Sequence, residues 1–340
     1  MNSHVFVVMG ELSLTAAKQI VSEHLAGQRP PVTVLSTFSG TWLDAPAWVR
    51  VRNIPVAVDA LSEWKKPLVV ARWFKDELEL LPKNSKICLY APHLFEIPAN
   101  YLFHFDSRVV RRELLPDGLS NYVPRGVFSG NVRNLIGVVV RLLLRAFAAR
   151  RVGLRYRPLV RGDITQFGLA AWDRTWTFQI KGLVTQAGPV TTLRFLPGDP
   201  RPGSARLVLD QGLQDIADES LSQDLFGALI EHLRQSPNLP IYYKPHPRRA
   251  SRFDAFVQAG LDVRLLDTGS AEQQMVELGV CELVGFYSTP LLLVTCPQIE
   301  RISVLPAEGV SGIKRTSFVR DLKKTLRDAG VTVLELGKGA

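Results

Sequence analysis

Short apolar runs alternate with amphipathic helical stretches along this sequence, in two successive series. An alternation of strand, helix and strand predicts a parallel sheet covered by helices. In the first series, the predicted strands are residues 5–8, 32–36, 56–58, 86–90 and 108–115, and the predicted helices are residues 13–26, 63–80 and 128–151. In the second series, the predicted strands are residues 206–209, 241–244, 263–266, 281–285, 303–305 and 331–334, and the predicted helices are residues 222–235, 253–259, 270–278, 291–295 and 318–329. Both series indicate an α/β protein.

A region rich in Pro and Gly, residues 150–203, separates the two series. The 340 residues of the chain fit two domains of ordinary size. We therefore predict two Rossmann-like domains that face a cleft, the first at residues 1–190 and the second at residues 191–340. Ligands of open parallel sheets bind at the carboxyl ends of the strands. Residues that directly follow a predicted strand are therefore the candidates for a site.

Composition and charge narrow the class of protein without naming a function. Hydrophobic residues make up 46% of the chain, which excludes a disordered or collagen-like protein. The formal net charge of +9 indicates an anionic partner. The three cysteines, Cys88, Cys281 and Cys296, are widely spaced, which favours neither a disulfide framework nor a zinc site and fits a reducing compartment. The first residues lack the basic segment and apolar length of a signal peptide, so we expect a cytoplasmic protein.

Residues 128–151 form the one long apolar stretch that could contact a membrane. Arg133, Arg141 and Arg145 lie inside it, and an arginine is costly at the centre of a bilayer, so we do not expect it to span. Arg141 and Arg145 are four residues apart and share one helix face. The segment is either a surface helix on anionic lipid or a buried domain helix with one solvated basic stripe.

The string Ile-Tyr-Tyr-Lys-Pro-His-Pro-Arg-Arg at residues 241–249 contains the strongest local signal. A predicted strand leads into a turn that holds Lys244 and His246 and is followed by Arg248 and Arg249. Prolines restrict the backbone on both sides of the histidine. Such a turn could bind a phosphate, because each of these side chains donates hydrogen bonds to an oxyanion. The alternative is a basic turn with a solvated histidine.

The string Val-Gly-Phe-Tyr-Ser-Thr-Pro-Leu at residues 284–291 is the second signal. The strand is expected to end at Gly285, and the hydroxyls of Ser288 and Thr289 come just before a predicted helix. Ser or Thr followed by Pro is an ordinary helix start. The same residues could also aim hydroxyls and backbone N–H groups at an anion.

Two carboxylates give weaker signals. Asp117 lies in Pro-Asp-Gly after a predicted strand, which is a common turn but could also project a general base. Glu272 lies at the start of a predicted helix, where a carboxylate is favoured in any case.

These strings, in this order, resemble the bacterial sialyltransferases of glycosyltransferase family 52, the lipooligosaccharide type, and the related capsular polysialyltransferases. Those families carry an acidic-acidic-Gly motif, a His-Pro motif often written Lys-Pro-His-Pro, and a Ser-Ser pair in a setting like Gly-Phe-Tyr-Ser-Ser. The counterparts here are residues 116–118, 244–247 and 285–289. This sequence departs from the pattern at Pro116, which replaces the first acid, and at Thr289, which replaces the second serine.

The resemblance implies the GT-B architecture and an inverting, metal-independent transfer of sialic acid, or a related nonulosonic acid, from a CMP-sugar to a bacterial surface glycan. The first domain would bind the acceptor, with Asp117 as base, and the second would bind the CMP-sugar. His246 would assist departure of CMP. Lys244, Ser288 and Thr289 would contact the CMP phosphate with His246, and Glu272 and Gly285 would contact the nucleoside. No cofactor would be needed.

Other interpretations remain open at this stage. One is a GT-B transferase that uses CMP-Kdo or a UDP-sugar, or a nucleotide-sugar epimerase. Another is a basic membrane-surface protein without catalysis, because the net charge and residues 133–151 fit peripheral contact with an anionic inner membrane. The sequence contains no recognised nucleic-acid-binding motif, so we expect no nucleic-acid partner.

Overall fold

A computed structural model of the chain describes residues 2–38, 42–55, 61–123, 132–159, 170–179, 181, 183, 188–196, 198, 203–235, 239–246 and 251–337. The chain divides into two compact units, Met1–Leu193 and Arg194–Ala340. The domain boundary expected after residue 190 comes three residues before this division.

The first unit is built from parallel strands with helices between them. Its strands are β1 (Ser3–Val8), β2 (Val32–Ser36), β3 (Val49–Asn53), β4 (Ile87–Ala91), β5 (Val109–Leu114), β6 (Arg174–Thr177) and β7 (Val190–Thr192). Its α-helices are α1 (Glu11–Gln19), α2 (Lys66–Leu80), α3 (Ile97–Phe105) and α4 (Val132–Arg151), and a π-helix, Ile20–Leu25, continues α1.

The described strands of the first unit form one sheet in the order β3-β2-β1-β4-β5-β6-β7, and every pairing is parallel. The central strand β1 pairs with β2 and β4, so Val5 lies opposite Thr33 and Leu89. Both faces of β1 are covered, which is why Phe6 is fully buried in an almost continuous apolar run. After β3 the chain returns to β1 and adds β4 on its other side, so the order of the strands reverses between β1 and β4.

Several elements of the first unit were not predicted. Strand β3 reads Val-Arg-Val-Arg-Asn, because the edge of a sheet accepts charged side chains that a central strand does not. Helix α3 has a proline as its second residue and is rich in aromatic residues, which hides its helical period. Strands β6 and β7 lie in the Pro- and Gly-rich region and extend the first sheet. The strand predicted at residues 56–58 falls outside the described residues.

The basic stripe predicted on α4 is wrong for one of its two arginines. Arg141 is exposed, but the side chain of Arg145 is only 7% exposed. Its Nη2 donates to Glu96 Oε1 at 2.7 Å, and its guanidinium lies 4.1 Å from the centre of the Phe95 ring. Arg145 therefore fastens α4 to the body of the unit. Among the described helices, none combines the length and apolar character needed to cross a membrane.

The second unit repeats the alternation. Its strands are β8 (Ala205–Leu209), β9 (Ile241–Lys244), β10 (Val263–Leu265), β11 (Val280–Gly285), β12 (Glu300–Pro306) and β13 (Thr332–Leu336). Its helices are α5 (Glu219–Arg234), α6 (Phe253–Gln258), α7 (Ala271–Glu277), α8 (Thr289–Leu293) and α9 (Thr316–Asp328).

The described strands of the second unit form a parallel sheet in the order β10-β9-β8-β11-β12-β13. This is the strand order of a Rossmann sheet, in which the chain reverses direction across the sheet between β8 and β11. Helix α5 follows β8; the Asp218 carboxylate caps it by accepting the Leu221 N–H at 3.0 Å, and its apolar side, including Leu225 and Leu229, is buried. The crevice at the carboxyl ends of β8 and β11 is where such a sheet binds a ligand.

Candidate active site at the strand ends of the second unit

One edge of the second sheet holds six of the residues singled out from the sequence. Strands β8, β9 and β11 are neighbours and end at this edge, and the turn after β10 leads into α7 beside it. The residues placed there are Lys244, His246, Glu272, Gly285, Ser288 and Thr289. Their common edge follows from the parallel pairing, since parallel strands have their carboxyl ends on the same side.

Lys244 is the last residue of β9 and connects its turn to the next loop. Its Nζ donates to the carbonyl oxygens of Leu266 at 3.2 Å and Thr268 at 3.0 Å. These carbonyls belong to the segment between β10 and α7. The ammonium therefore brings positive charge to this edge. It also positions the segment that leads into α7, the helix that carries Glu272. His246 follows after Pro245 and is half-buried, whereas residues 247–250, with Arg248 and Arg249, fall outside the described residues.

A buried carboxylate that sequence reasoning missed lies next to this turn. Asp210 directly follows β8; its Oδ2 accepts from the Tyr243 hydroxyl at 2.6 Å, and its Oδ1 accepts from the Gln211 N–H at 2.8 Å. The Tyr243 oxygen in turn accepts from the Arg252 N–H at 2.8 Å. Burial raises the pKa of Tyr243, and so does the bond to Asp210, which keeps the phenol protonated. Asp210 and Tyr243 thus fix both ends of the segment that contains His246.

The end of β11 is held equally firmly. A Cβ placed on Gly285 would lie 3.0 Å from the carbonyl oxygen of Leu209, so the close approach of β8 favours glycine here. The Ser303 hydroxyl donates to the Phe286 carbonyl, and the Tyr287 hydroxyl donates to the Gly212 carbonyl. The segment after β11 is therefore anchored to β12 on one side and to the segment that follows β8 on the other.

Ser288 has a buried hydroxyl that no contact explains. The residue occupies the N-cap position of α8, as a helix start predicts, but its side chain makes no capping hydrogen bond. Ser288 Oγ is buried and has no hydrogen-bond partner within the described part of the chain. Burying a hydroxyl without a partner costs free energy. The neighbouring Thr289 is half-buried, so two hydroxyls stand side by side at the carboxyl end of β11.

Glu272 lies in the first turn of α7. The helix is capped by the Ser270 hydroxyl, which accepts the Gln273 N–H at 3.2 Å. Glu272 follows the cap by two residues and is half-buried. Its carboxylate is not required for capping, and its assignment to the nucleoside remains a prediction.

Asp117 belongs to the first unit, where it follows β5. Its N–H donates to Asn121 Oδ1 at 2.6 Å, and Gly118 has a φ of +78°, which favours glycine. The turn expected from Pro-Asp-Gly is present, with Asp117 half-buried in it. Another residue at this edge, His93, follows β4 beside the crossover point of the first sheet, and its Nδ1 accepts the Phe95 N–H at 3.3 Å. A search for polar residues after predicted strands would have found it.

Cys88, Cys281 and Cys296 are free thiols, and burial raises the pKa of Cys88 and of Cys281. Within the described ranges, no three His, Cys, Asp or Glu side chains are grouped so that they could share a metal ion.

Comparison with known proteins identifies the fold. No protein-family model and no curated protein matches the sequence. A sialyltransferase GT-B domain from Photobacterium damselae is similar in structure, with a TM-score of 0.57 at 12% identity over 99% of this chain and 100% of that chain. An α/β-galactoside α-2,3-sialyltransferase from Photobacterium phosphoreum has a TM-score of 0.50 at 10% identity, over 98% of both chains.

The spinosyn forosaminyltransferase SpnP is similar at a TM-score of 0.52 and 12% identity, over 97% of this chain and 85% of that chain. Transferases of different specificity therefore share this architecture with the chain. The likeness to the two bacterial sialyltransferases is one of fold. With two Rossmann-like units and these neighbours, the chain has the α/β GT-B fold of glycosyltransferases.

Proposed function

We propose that the protein is an inverting, metal-independent sialyltransferase that transfers sialic acid, or a related nonulosonic acid, from a CMP-sugar to a hydroxyl of a bacterial surface glycan. The observation that carries the proposal is the unpartnered, buried hydroxyl of Ser288 at the crossover edge of the second sheet. A phosphate oxygen would supply the missing partner. The GT-B fold and the order of the sequence motifs support the same assignment.

The proposed transfer requires stabilisation of the negative charge that develops on the leaving group. When the glycosidic bond to the donor sugar breaks, the CMP phosphate gains negative charge, and donors already in place stabilise that charge best. We assign His246 to donate to this phosphate, with the hydroxyls of Ser288 and Thr289 and the charge of Lys244 alongside. The hydrogen bonds of Tyr243 and Tyr287 support this role because they keep the surrounding segments from moving.

The acceptor hydroxyl must lose a proton as it attacks the anomeric carbon. We assign this step to Asp117 in the first unit, as a general base. Glu272 and Gly285 are assigned to the nucleoside of the donor. Because protein side chains supply both the base and the phosphate donors, the proposal needs no metal and no cofactor. The proposed acceptor is a lipooligosaccharide or capsule glycan, and the proposed location is the cytoplasm.

Calorimetry with CMP and with UDP tests the donor class. Binding of CMP without comparable binding of UDP is expected. Tight binding of UDP alone would replace the proposal with a UDP-sugar transferase or an epimerase, and transfer from CMP-Kdo rather than CMP-sialic acid would change the sugar. SpnP, with its different substrate, shows that the fold by itself does not choose among these donors.

Two substitutions test the roles of the residues. His246→Ala and Asp117→Asn should each lower transfer by about 100-fold or more, because general acid–base groups contribute at least that much. The matched control is Asp44→Asn, since the Asp44 side chain is 86% exposed and pairs only weakly with Lys18. Melting temperatures should stay close to that of the wild type. Full transfer activity in either site variant would remove that residue from the mechanism.

A further inference from the structure

Helix α4 presents an apolar line to solvent. Four large hydrophobic side chains, Ile136, Val139, Leu143 and Phe147, are exposed, with Leu143 at 62% and Phe147 at 65%. Their spacing of three and four residues places them on one face of the helix. Exposed hydrophobic residues are common singly, but a continuous line of them marks a surface that is covered in use.

The packing of α4 fixes which face points outward. Leu142, Ala148 and Ala149 are buried in the hydrophobic core of the first unit, where α4 packs on α2. Arg145 lies on the same inner side, held by Glu96. The helix cannot turn to hide its outer line without breaking this pair and these contacts. The apolar line is therefore a permanent feature of the surface.

Positive charge accompanies the line and negative charge does not. Arg150 and Arg151 end the helix and are exposed, and Arg155 and Arg157, which follow, are exposed as well. Residues 132–151 contain no Asp or Glu. A helix with an apolar face and basic residues beside it is the pattern of helices that lie in the plane of an anionic lipid surface.

We infer that α4 docks the protein on an anionic bilayer, lying flat with Leu143 and Phe147 in the boundary between headgroups and acyl chains and with Arg150 and Arg151 on the lipid phosphates. A second copy of the chain fits this face less well. Two α4 helices placed face to face would bring arginines together with no acidic partner on either helix. The inference concerns helix α4 alone and stands or falls independently of the proposed transfer reaction.

Sedimentation of the full chain with vesicles tests the inference. The probes are vesicles of phosphatidylcholine with and without phosphatidylglycerol. We expect binding only to the vesicles with phosphatidylglycerol, and weaker binding at high salt because the charges are then screened. The double variant Arg150→Gln/Arg151→Gln should bind at least about tenfold more weakly, since each basic residue near an anionic surface is worth roughly fivefold.

The double variant Leu143→Gln/Phe147→Gln should also lose at least about tenfold in vesicle binding through the apolar contribution. These side chains are exposed, so folding should be unaffected, and the melting temperature checks this. Val257→Gln is the matched control, because Val257 is 51% exposed on α6 of the other unit. Wild-type binding that does not depend on phosphatidylglycerol, or variants that bind like the wild type, would overturn the inference. So would a dimer in light scattering that Leu143→Gln/Phe147→Gln dissociates.

Discussion

The hydroxyl of Ser288 and the carboxylate of Asp210 are both buried at the edge of the second sheet, but they are in opposite situations. Both oxygens of Asp210 accept hydrogen bonds, from Tyr243 and from the Gln211 N–H. Ser288 Oγ has no partner among the described residues. A satisfied buried group stabilises the fold, whereas an unsatisfied one costs free energy unless something else pairs with it. Asp210 therefore belongs to the framework of the fold, and Ser288 is suited to binding a ligand.

Ser288→Ala separates these two roles. Because the hydroxyl has no partner, its removal should leave the free energy of unfolding unchanged or slightly higher. If the hydroxyl binds the CMP phosphate, the same change should weaken CMP binding about tenfold, the usual worth of a hydrogen bond to a charged group. Urea unfolding and calorimetry with CMP measure the two effects.

Ser303→Ala is the control for this measurement. Its hydroxyl is fully buried and donates to the Phe286 carbonyl, so its loss should lower the free energy of unfolding by about 1 kcal/mol. If Ser288→Ala leaves CMP affinity unchanged, the phosphate is bound elsewhere. If it instead costs as much stability as Ser303→Ala, the hydroxyl has a structural partner.

At the scale of elements, one ion pair adds to the apolar packing that attaches α4. Burial by itself would raise the pKa of Glu96, but the charge of Arg145 and its hydrogen bond outweigh burial and lower it. The guanidinium also lies over Phe95, whose carbonyl accepts the Tyr156 hydroxyl at 2.9 Å. Arg145 thus joins the helix to the segment between β4 and α3.

Replacing only one partner of this pair should be costly. Arg145→Met leaves the Glu96 carboxylate buried without its cation, and we expect the free energy of unfolding to fall by about 3–5 kcal/mol. The double variant Arg145→Met/Glu96→Leu should recover much of the loss, because an apolar pair needs no compensation. Urea denaturation measures both. A single variant as stable as the wild type would show that the pair does not hold the helix.

The elements that the sequence predicted are the more apolar strands and most of the amphipathic helices. Strands β2 and β9 have the predicted bounds because each is a short run rich in β-branched or aromatic residues. Strands β3, β6 and β7 were missed because edge and near-edge strands are short or alternate with charge. Placing polar residues after predicted strands located His246 and Ser288, and the same rule applied after β8 would have located Asp210.

The pairings within the site could not be predicted. The Tyr243 hydroxyl donates to Asp210, which follows the neighbouring strand and lies earlier in the chain. The Lys244 ammonium donates to the carbonyls of Leu266 and Thr268, which lie later in the chain. Both depend on which strands are neighbours and in what register, which a single sequence does not specify. The burial of Arg145 was unpredictable for the same reason, since its partner Glu96 lies 49 residues earlier in the chain.

At the scale of the whole molecule, two half-buried histidines make the free energy of unfolding depend on pH. Burial lowers the pKa of His4 and of His104 to about 4, with nearby arginines adding to the effect. Both rings are therefore neutral in the folded protein under conditions where the unfolded chain begins to bind protons. Burial has the opposite consequence for Glu113, whose raised pKa favours the fold at low pH and disfavours it as pH rises.

We expect the free energy of unfolding to fall as pH decreases from about 6.5 to about 4, since the unfolded chain binds more protons than the fold across that range. The two half-buried histidines contribute about 1 kcal/mol each after allowance for their exposure. Urea midpoints at about pH 7.5 and about pH 5 measure the fall. His104→Phe, which keeps an aromatic ring beside Phe103 and Phe105, should show a smaller fall than the wild type. An equal fall would exclude His104 as a source.

The strand orders have a consequence for how the chain is made. In each sheet the earliest strand, β1 or β8, ends up at the centre, and the chain first adds strands on one side of it and then on the other. Strand β7, the outermost described strand of the first sheet, ends at Thr192, before β8 begins at Ala205. No described strand of the first sheet therefore has to wait for a later part of the chain. As synthesis proceeds from the N-terminus, the ribosome can release a finished first unit while the second is still being translated.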